Sequence, residues 1–116
     1  MRVSDNAAVG RILKAVSDPE NTKLMMLMKR TSKSAQALSA ESGIPQSTVY
    51  RKLDELKDAG LIMTEHFSVT AGKRIDFLIV TFSEVRMSIN EETLSVEIVP
   101  SDENANMKWL NLFRGG

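Results

Sequence analysis

The sequence predicts an α+β fold with a helical front half and a strand-rich second half. Apolar residues recur at helical spacing as far as about residue 59, whereas β-branched and aromatic residues become frequent after Gly60. The chain has 116 residues, of which 42% are hydrophobic, and this suffices for one sizeable core. We therefore expect one small folded domain rather than a disordered chain.

Four helices are expected in the front half. Val9, Ile12 and Val16 repeat at helical spacing in the first of them. Asp18 followed by Pro19 is a typical helix start, because a carboxylate caps free N–H groups and proline fits the first helical position. The predicted helices cover about 5–16, 21–30, a short segment capped by Ser34 and stopped by Gly43, and 46–59.

Two strand pairs and a closing helix are expected after Gly60. Ala71-Gly72-Lys73 and Asn90-Glu91-Glu92 are typical of turns, and apolar residues alternate with polar ones on both sides of the second turn. The predicted elements are strands 61–69 and 74–82, strands 85–89 and 94–98, and a helix over 102–113.

The stretch from Ser34 to Leu56 carries the most specific pattern in the chain. A short helix reaches Gly43, where glycine allows the positive φ that lets the chain reverse and a second helix cross the first. The polar face of that second helix can hydrogen-bond base edges and phosphates in a major groove. Followed by a glycine-tipped hairpin, this order predicts a winged helix-turn-helix. The residues expected on the polar face are Gln46, Ser47, Tyr50, Arg51 and Asp54.

A family resemblance rests on the same part of the chain. Pro45-Gln-Ser-Thr-Val-Tyr-Arg-Lys-Leu-Asp-Glu-Leu-Lys-Asp-Ala-Gly-Leu-Ile62 resembles the recognition helix and wing entry of ArsR-like regulators. Ala15-Val-Ser-Asp-Pro19 is similar to the start of that family's second helix. The resemblance covers about 9–82 and is most specific over 43–62. It implies a homodimeric transcriptional regulator that binds double-stranded DNA in a sequence-specific manner.

The resemblance also implies which residues contact DNA. The recognition helix, about 46–59, would lie in the major groove, and the wing near 71–74 would reach the backbone or the minor groove. Ser34, at the front of the helix-turn-helix, would touch phosphate. The implied DNA-binding residues are Ser34, Gln46, Ser47, Thr48, Tyr50, Arg51, Lys73 and Arg74.

The chain departs from the ArsR-like pattern in two respects. Metal-sensing members use clusters of cysteine, histidine and carboxylates, whereas this chain has no cysteine and a single histidine, His66, so no metal site is implied. Glu65, His66 and Asp76 are better explained by a solvated strand face. A second strand pair also precedes the last helix. We therefore expect 1–82 to form the winged helix-turn-helix domain and 83–116 a C-terminal extension of the same domain, for dimerisation or another interaction.

Three features have simple structural explanations beside functional ones. Arg51 and Lys52 could be a solvated helix face without a partner. The methionine-rich run 24–28 suggests a pliable ligand pocket or, more simply, a helix packed on two sides. The apolar end of the last helix, with Trp109 and Phe113, either folds back on the core or makes a dimer contact, and we favour the dimer contact.

Composition and charge distribution indicate where the protein works and what it could bind. The chain lacks an apolar signal-like start and a run long enough to span a bilayer, so we expect a cytoplasmic protein without a membrane partner. The net charge is zero, but residues 1–82 carry 12 basic and 9 acidic side chains, and residues 83–116 carry 3 and 6. The front of the chain could therefore face phosphate.

Catalysis is not expected from this sequence. It contains no Cys–His pair, no glycine-rich phosphate loop and no HExxH motif, and it implies no cofactor. The competing interpretation is a winged-helix module for protein–protein contact in a transcription-related assembly, with the acidic tail as its working surface. A ligand sensor would need a pocket, and the sequence identifies no small-molecule effector.

Overall fold

The structure of the protein is a computed structural model that describes residues 2–101. This part of the chain contains four helices and five strands, which confirms the predicted α+β fold. In chain order the elements are β1 (Arg2–Val3), α1 (Asn6–Ser17), α2 (Pro19–Leu27), α3 (Ala35–Ser42), α4 (Gln46–Asp58), β2 (Ile62–Thr70), β3 (Lys73–Val80), β4 (Phe82–Ile89) and β5 (Leu94–Pro100). The predicted closing helix, 102–113, lies outside the described residues.

Helix α2 begins at the predicted start signal, Asp18-Pro19, just before the predicted stretch 21–30, but it ends earlier than the sequence predicts. The carboxylate of Asp18 accepts hydrogen bonds from the backbone N–H groups of Glu20 and Asn21, so the helix starts at Pro19. It ends at Leu27 instead of residue 30, because the N–H of Met28 is shared between two carbonyls in a tightened last turn. Lys29 and Arg30, the last two residues of the predicted helix, therefore lie beyond its end.

The turn between α3 and α4 is fixed by side chains as well as by glycine. Gly43 has φ +77°, as predicted for the reversal of the chain. The hydroxyl of Ser39 donates to the carbonyl of Ile44 at 2.6 Å, and Nζ of Lys23 donates to the carbonyl of Ser42 at 2.6 Å. These bonds satisfy carbonyl groups near the end of α3 and hold α4 at a set angle to it.

Strands β2 and β3 form the wing, an antiparallel hairpin with Ala71 and Gly72 at its tip. Both tip residues have positive φ, as a tight hairpin turn requires. The backbones of Lys33 and Leu78 exchange two hydrogen bonds of 2.9 Å, which attach the segment before α3 to β3. The wing is therefore anchored directly beside the helix-turn-helix.

The second sheet has three strands in the order β1-β5-β4. The predicted pair, β4 and β5, is present, and β1 adds a strand that the sequence did not predict. Because β1 is only two residues long, it shows no alternation that could reveal it. Val96 and Ile98 of β5 are buried in the same apolar cluster as the helices and the wing base.

The core follows the apolar stripes that the sequence predicts. Val49, Leu53 and Leu56 bury the inner face of α4, and Leu24 on α2 and Met28 at its C-cap are fully buried. The expectation that α2 is packed on two sides is wrong for Met26, which is 74% exposed. None of the helices within residues 2–101 is long and apolar enough to cross a bilayer.

Candidate nucleic-acid interface

The outer face of α4 is polar and open to solvent. Gln46, Ser47, Tyr50 and Arg51 are exposed and Thr48 is half-buried. Tyr50 is 55% exposed, so its ring and hydroxyl are accessible to a partner. The periodicity that buries one stripe of the helix thus presents the other stripe outward, as the sequence predicts.

The first turn of α4 adds backbone donors to this face. Pro45 occupies the N-cap position and supplies no side-chain hydrogen bond to the helix. The N–H groups at the start of a helix carry the positive end of its dipole and suit an anion such as a phosphate. Gln46 and Ser47 place their side chains at this same end of α4.

The wing supplies two cations, Lys73 and Arg74, both of which are exposed. Nε of Arg74 lies 2.7 Å from a carboxylate oxygen of Asp76, and its guanidinium carbon lies 4.0 Å from the centroid of the Phe67 ring. These contacts orient the guanidinium without burying it. Lys73 forms no ion pair with any residue in the part of the chain that the structure describes.

A cleft of about 390 Å³ separates α4 and the start of α3 from the wing. Five of the eight predicted DNA-binding residues line it: Ser34, Gln46, Tyr50, Lys73 and Arg74. The other three, Ser47, Thr48 and Arg51, lie on α4 outside the cleft. The structure therefore brings together residues that are separated by up to 40 positions in the sequence.

The cleft also contains polar residues that the sequence analysis missed. These are Gln36 on α3 and Lys57 on α4. The carboxylates of Asp54, which was expected on the polar face of α4, and of Asp76 also line the cleft. Lys57 could have been found, because it lies seven residues after Tyr50 on the same helical stripe. The cleft thus carries three basic and two acidic side chains, a balance that favours an anion only modestly.

Ser34 has a structural role beside its predicted one. Its hydroxyl oxygen accepts a hydrogen bond of 3.1 Å from the N–H of Ala37, which caps α3. Its hydroxyl hydrogen is still available as a donor toward the cleft. The capping bond therefore fixes the position from which Ser34 could reach a phosphate.

Lys52 is not part of the solvated face on which the sequence placed it beside Arg51. It is only 4% exposed, and its Nζ lies 2.7 Å from Asp18 and 3.5 Å from Glu20. The hydrogen bond from Lys52 lowers the pKa of Asp18 below its ordinary value of 3.8, and the same bond raises the pKa of Lys52. Lys52 thus links α4 to the start of α2 and holds the outer face in place.

His66 does not form part of a metal site with Glu65 and Asp76. Its ring stacks on Phe77 with centroids 4.5 Å apart, and its Nδ1 lies 3.5 Å from a carboxylate oxygen of Glu65. Within residues 2–101, no cluster of three or more histidine or carboxylate side chains is arranged to hold a metal ion. The contacts of His66 are those of a strand face.

Comparison with known proteins bears on this site. The family model described as sugar-specific transcriptional regulator TrmB matches residues 17–76, just over half of the chain. The match runs from the end of α1 through α2, α3, α4 and β2 into β3, and so contains the outer face of α4 and the wing tip. It confirms the winged helix-turn-helix transcriptional regulator that the sequence predicts. No match is found among curated proteins.

Several solved structures match most of the chain, at low sequence identity and with TM-scores below 0.5. A possible transcriptional regulatory protein from Mycobacterium bovis (fragment 1–100) is 15% identical, with a TM-score of 0.48 and coverage of 95% of this chain and 94% of that one. HlyU from Vibrio cholerae N16961 is 17% identical, with a TM-score of 0.44 and 95% coverage of both chains. An ArsR family transcriptional regulator is 12% identical, with a TM-score of 0.47 and coverage of 97% and 93%.

Proposed function

The chain belongs to the TrmB family of transcriptional regulators, and we propose that it reads double-stranded DNA with the outer face of α4 and with the wing. As a member of this family it is a sequence-specific DNA-binding regulator with a winged helix-turn-helix. The family match ends at residue 76, so the proposal concerns this DNA-binding part and includes no ligand.

One observation carries the assignment of residues. The cleft between α4 and the wing joins Ser34, Gln46, Tyr50, Lys73 and Arg74, which come from three separate segments of the chain. Solubility requires polar groups on the surface but does not require that hydrogen-bonding and cationic groups lie together around one concave site. A duplex lying across the cleft would meet all of these side chains together.

The proposed roles follow from the chemistry of each side chain. Gln46, Ser47, Tyr50 and Arg51 would contact base edges from α4, since amide, hydroxyl and guanidinium groups match the donor and acceptor pattern of the major groove. Ser34 and Thr48 would donate to phosphate. Lys73 and Arg74 would reach the backbone or the minor groove from the wing tip.

We also propose that the protein acts as a cytoplasmic homodimer without catalytic activity. Two copies of α4 would lie in successive major grooves, with half-site centres about 34–36 Å apart. Residues 1–82 would form the DNA-binding unit, and residues 83–116 would extend the same domain and contribute the dimer contact. Burial of Val96 and Ile98 in the shared core supports this division into one domain with an extension.

The experiment that tests the function is selection from a pool of random duplexes, with binding followed by fluorescence anisotropy. Wild type should enrich a roughly palindromic motif. Arg51→Ala should weaken binding to that motif and relax its sequence. Arg11→Ala is the matched control, because it removes the same charge from an exposed residue of α1 outside the cleft.

Absence of enrichment by wild type, together with equally weak binding by all three proteins at low salt, would contradict DNA recognition by α4. That result would support the alternative function, a winged-helix module for protein–protein contact. The family match does not favour this alternative.

A further inference from the structure

A second concave surface lies apart from the DNA cleft and shares no lining residue with it. This apolar groove, about 470 Å³ in volume, is formed by α1, α2, the end of β3 and β4, and Thr22 and Lys29 are its polar lining residues. Its principal apolar lining residues are Leu13, Val16, Met25, Met26, Phe82 and Met87.

The groove exposes side chains that water solvates poorly. Met26 is 74% exposed and Met87 is 59% exposed, on α2 and β4 respectively. Methionine adapts its shape to an apolar partner, and a contiguous apolar surface of this kind usually marks a contact site. An apolar cover that packs in the groove would therefore remove these side chains from water.

The described chain ends at the edge of this groove. The N–H of Ser101 donates to the carbonyl of Thr81 at 3.0 Å. Thr81 lies between Val80 and Phe82, both of which line the groove. Fifteen residues, 102–116, follow Ser101 in the sequence.

Those fifteen residues have the composition that such a cover needs. They contain the five large apolar residues Met107, Trp109, Leu110, Leu112 and Phe113. Asp102 and Glu103 add carboxylates near the start of the segment, and Lys29 places a cation in the groove lining. A segment of this length can span about 50 Å when extended, so its reach does not limit where it binds.

We propose that residues 102–116 occupy the apolar groove of their own chain. Tethering at Ser101 gives the segment a high effective concentration at the groove, which favours it over a second copy or a free ligand. This assignment revises the expectation that the apolar end of the chain makes the dimer contact. Dimer contacts within the extension would then come from residues 83–101, where Ile89 is 76% exposed.

Trp109 reports directly on the proposal, because it is the only tryptophan in the chain. In the wild-type protein the emission of Trp109 should be blue-shifted. Acrylamide should quench this emission several-fold less than it quenches the Trp109 emission of the Met26→Glu variant. That substitution places a carboxylate in the groove at an exposed position that tolerates it. Val69→Glu is the matched control, since it makes the same type of change on an exposed apolar residue of β2 outside the groove and outside the proposed dimer contact, and it should leave the emission unchanged.

The concentration dependence separates the chain's own segment from that of a second copy. Protection of Trp109 should be the same at low and high protein concentration. Protection that appears only on dimerisation would assign the groove to a second copy and overturn the proposal, as would a solvent-exposed emission in wild type at every concentration. Enrichment of a DNA motif by wild type is measured in a separate experiment. A negative fluorescence result is therefore distinguishable from failure of the proposed DNA-binding function.

Discussion

Arg51 and Lys52 are adjacent cations on α4 with different environments. Arg51 is exposed, whereas Lys52 is buried against Asp18 and Glu20. Consecutive residues point about 100° apart on a helix, so the pair cannot share one face. This difference could have been predicted from the sequence, because Lys52 lies three residues after Val49 and four before Leu56, on the apolar stripe.

The first prediction concerns the stability contributed by these two cations. Lys52→Ala should lower the free energy of unfolding by about 1–3 kcal/mol, because Asp18 loses its buried partner. Arg51→Ala should change it by less than about 0.5 kcal/mol, as expected for an exposed side chain. Urea denaturation of both variants measures the difference. Equal effects would contradict the structural role of Lys52.

The second prediction is a pH dependence that follows from the lowered pKa of Asp18, whose main cause is the hydrogen bond from Lys52. A carboxylate whose pKa is depressed in the fold stabilises the protein above its unfolded pKa, near 3.8, and this stabilisation is lost as pH falls through the lower folded value. Asn at position 18 can still cap α2, so Asp18→Asn removes mainly the charge.

Urea midpoints of wild type and Asp18→Asn provide the measurement. Wild type should have the higher urea midpoint at neutral pH. The difference between the two midpoints should become smaller as the pH falls below the ordinary pKa of Asp, 3.8. A gap that stays constant with pH would show that the ion pair does not contribute as described.

At the scale of elements, the glycines test how strictly the helix-turn-helix depends on backbone conformation. Gly43 has φ +77°, while Gly10 lies within α1, and an added Cβ would meet nothing within 4 Å at either position. Gly43→Ala should destabilise the protein by about 1–2 kcal/mol through backbone strain alone. Gly10→Ala should stabilise it by about 0.5–1 kcal/mol through helix propensity. Thermal melts of both variants measure these opposite shifts, and shifts of the same sign would contradict the assigned conformations.

Elements specified by local signals were predictable from the sequence. Asp18-Pro19 marked the start of α2, Ser34 marked that of α3, and Gly43 marked the turn. The short strand β1 and the pairing of Lys33 with Leu78 were missed, because both depend on partners far along the chain and are too short to show a period. The end of α2 was misplaced because its last turn is set by a shared hydrogen bond of Met28 rather than by a stop residue.

At the scale of the whole molecule, the candidate site is an outcome of tertiary structure. The sequence and its resemblance named residues on α4 and the wing, but the cleft exists because β3 is paired to the segment before α3. The contribution of Gln36 depends on the packing of α3 beside the wing, whereas Lys57 could have been found from its spacing to Tyr50 on α4. Local patterns therefore predicted the contact groups, and the packing defines their arrangement.

The fourth prediction concerns the salt dependence of DNA binding. Since the net charge is zero, phosphate contacts should be few and localised at the wing and α4. Lys73→Ala should weaken binding about equally for all duplexes and reduce the slope of log affinity against log salt by about one. Anisotropy titrations over a salt series measure the slope, with Arg11→Ala as the control of equal charge. A slope that Lys73→Ala leaves unchanged would remove the wing from the interface.

An amide NMR titration of the protein with its selected duplex tests directly whether α4 and the wing form the DNA interface. Chemical-shift changes should concentrate at the start of α3, along 46–57 of α4 and at the wing tip, 71–76. The β4–β5 hairpin should change little. Changes confined to that hairpin, with α4 and the wing unperturbed, would show that neither α4 nor the wing contacts the DNA.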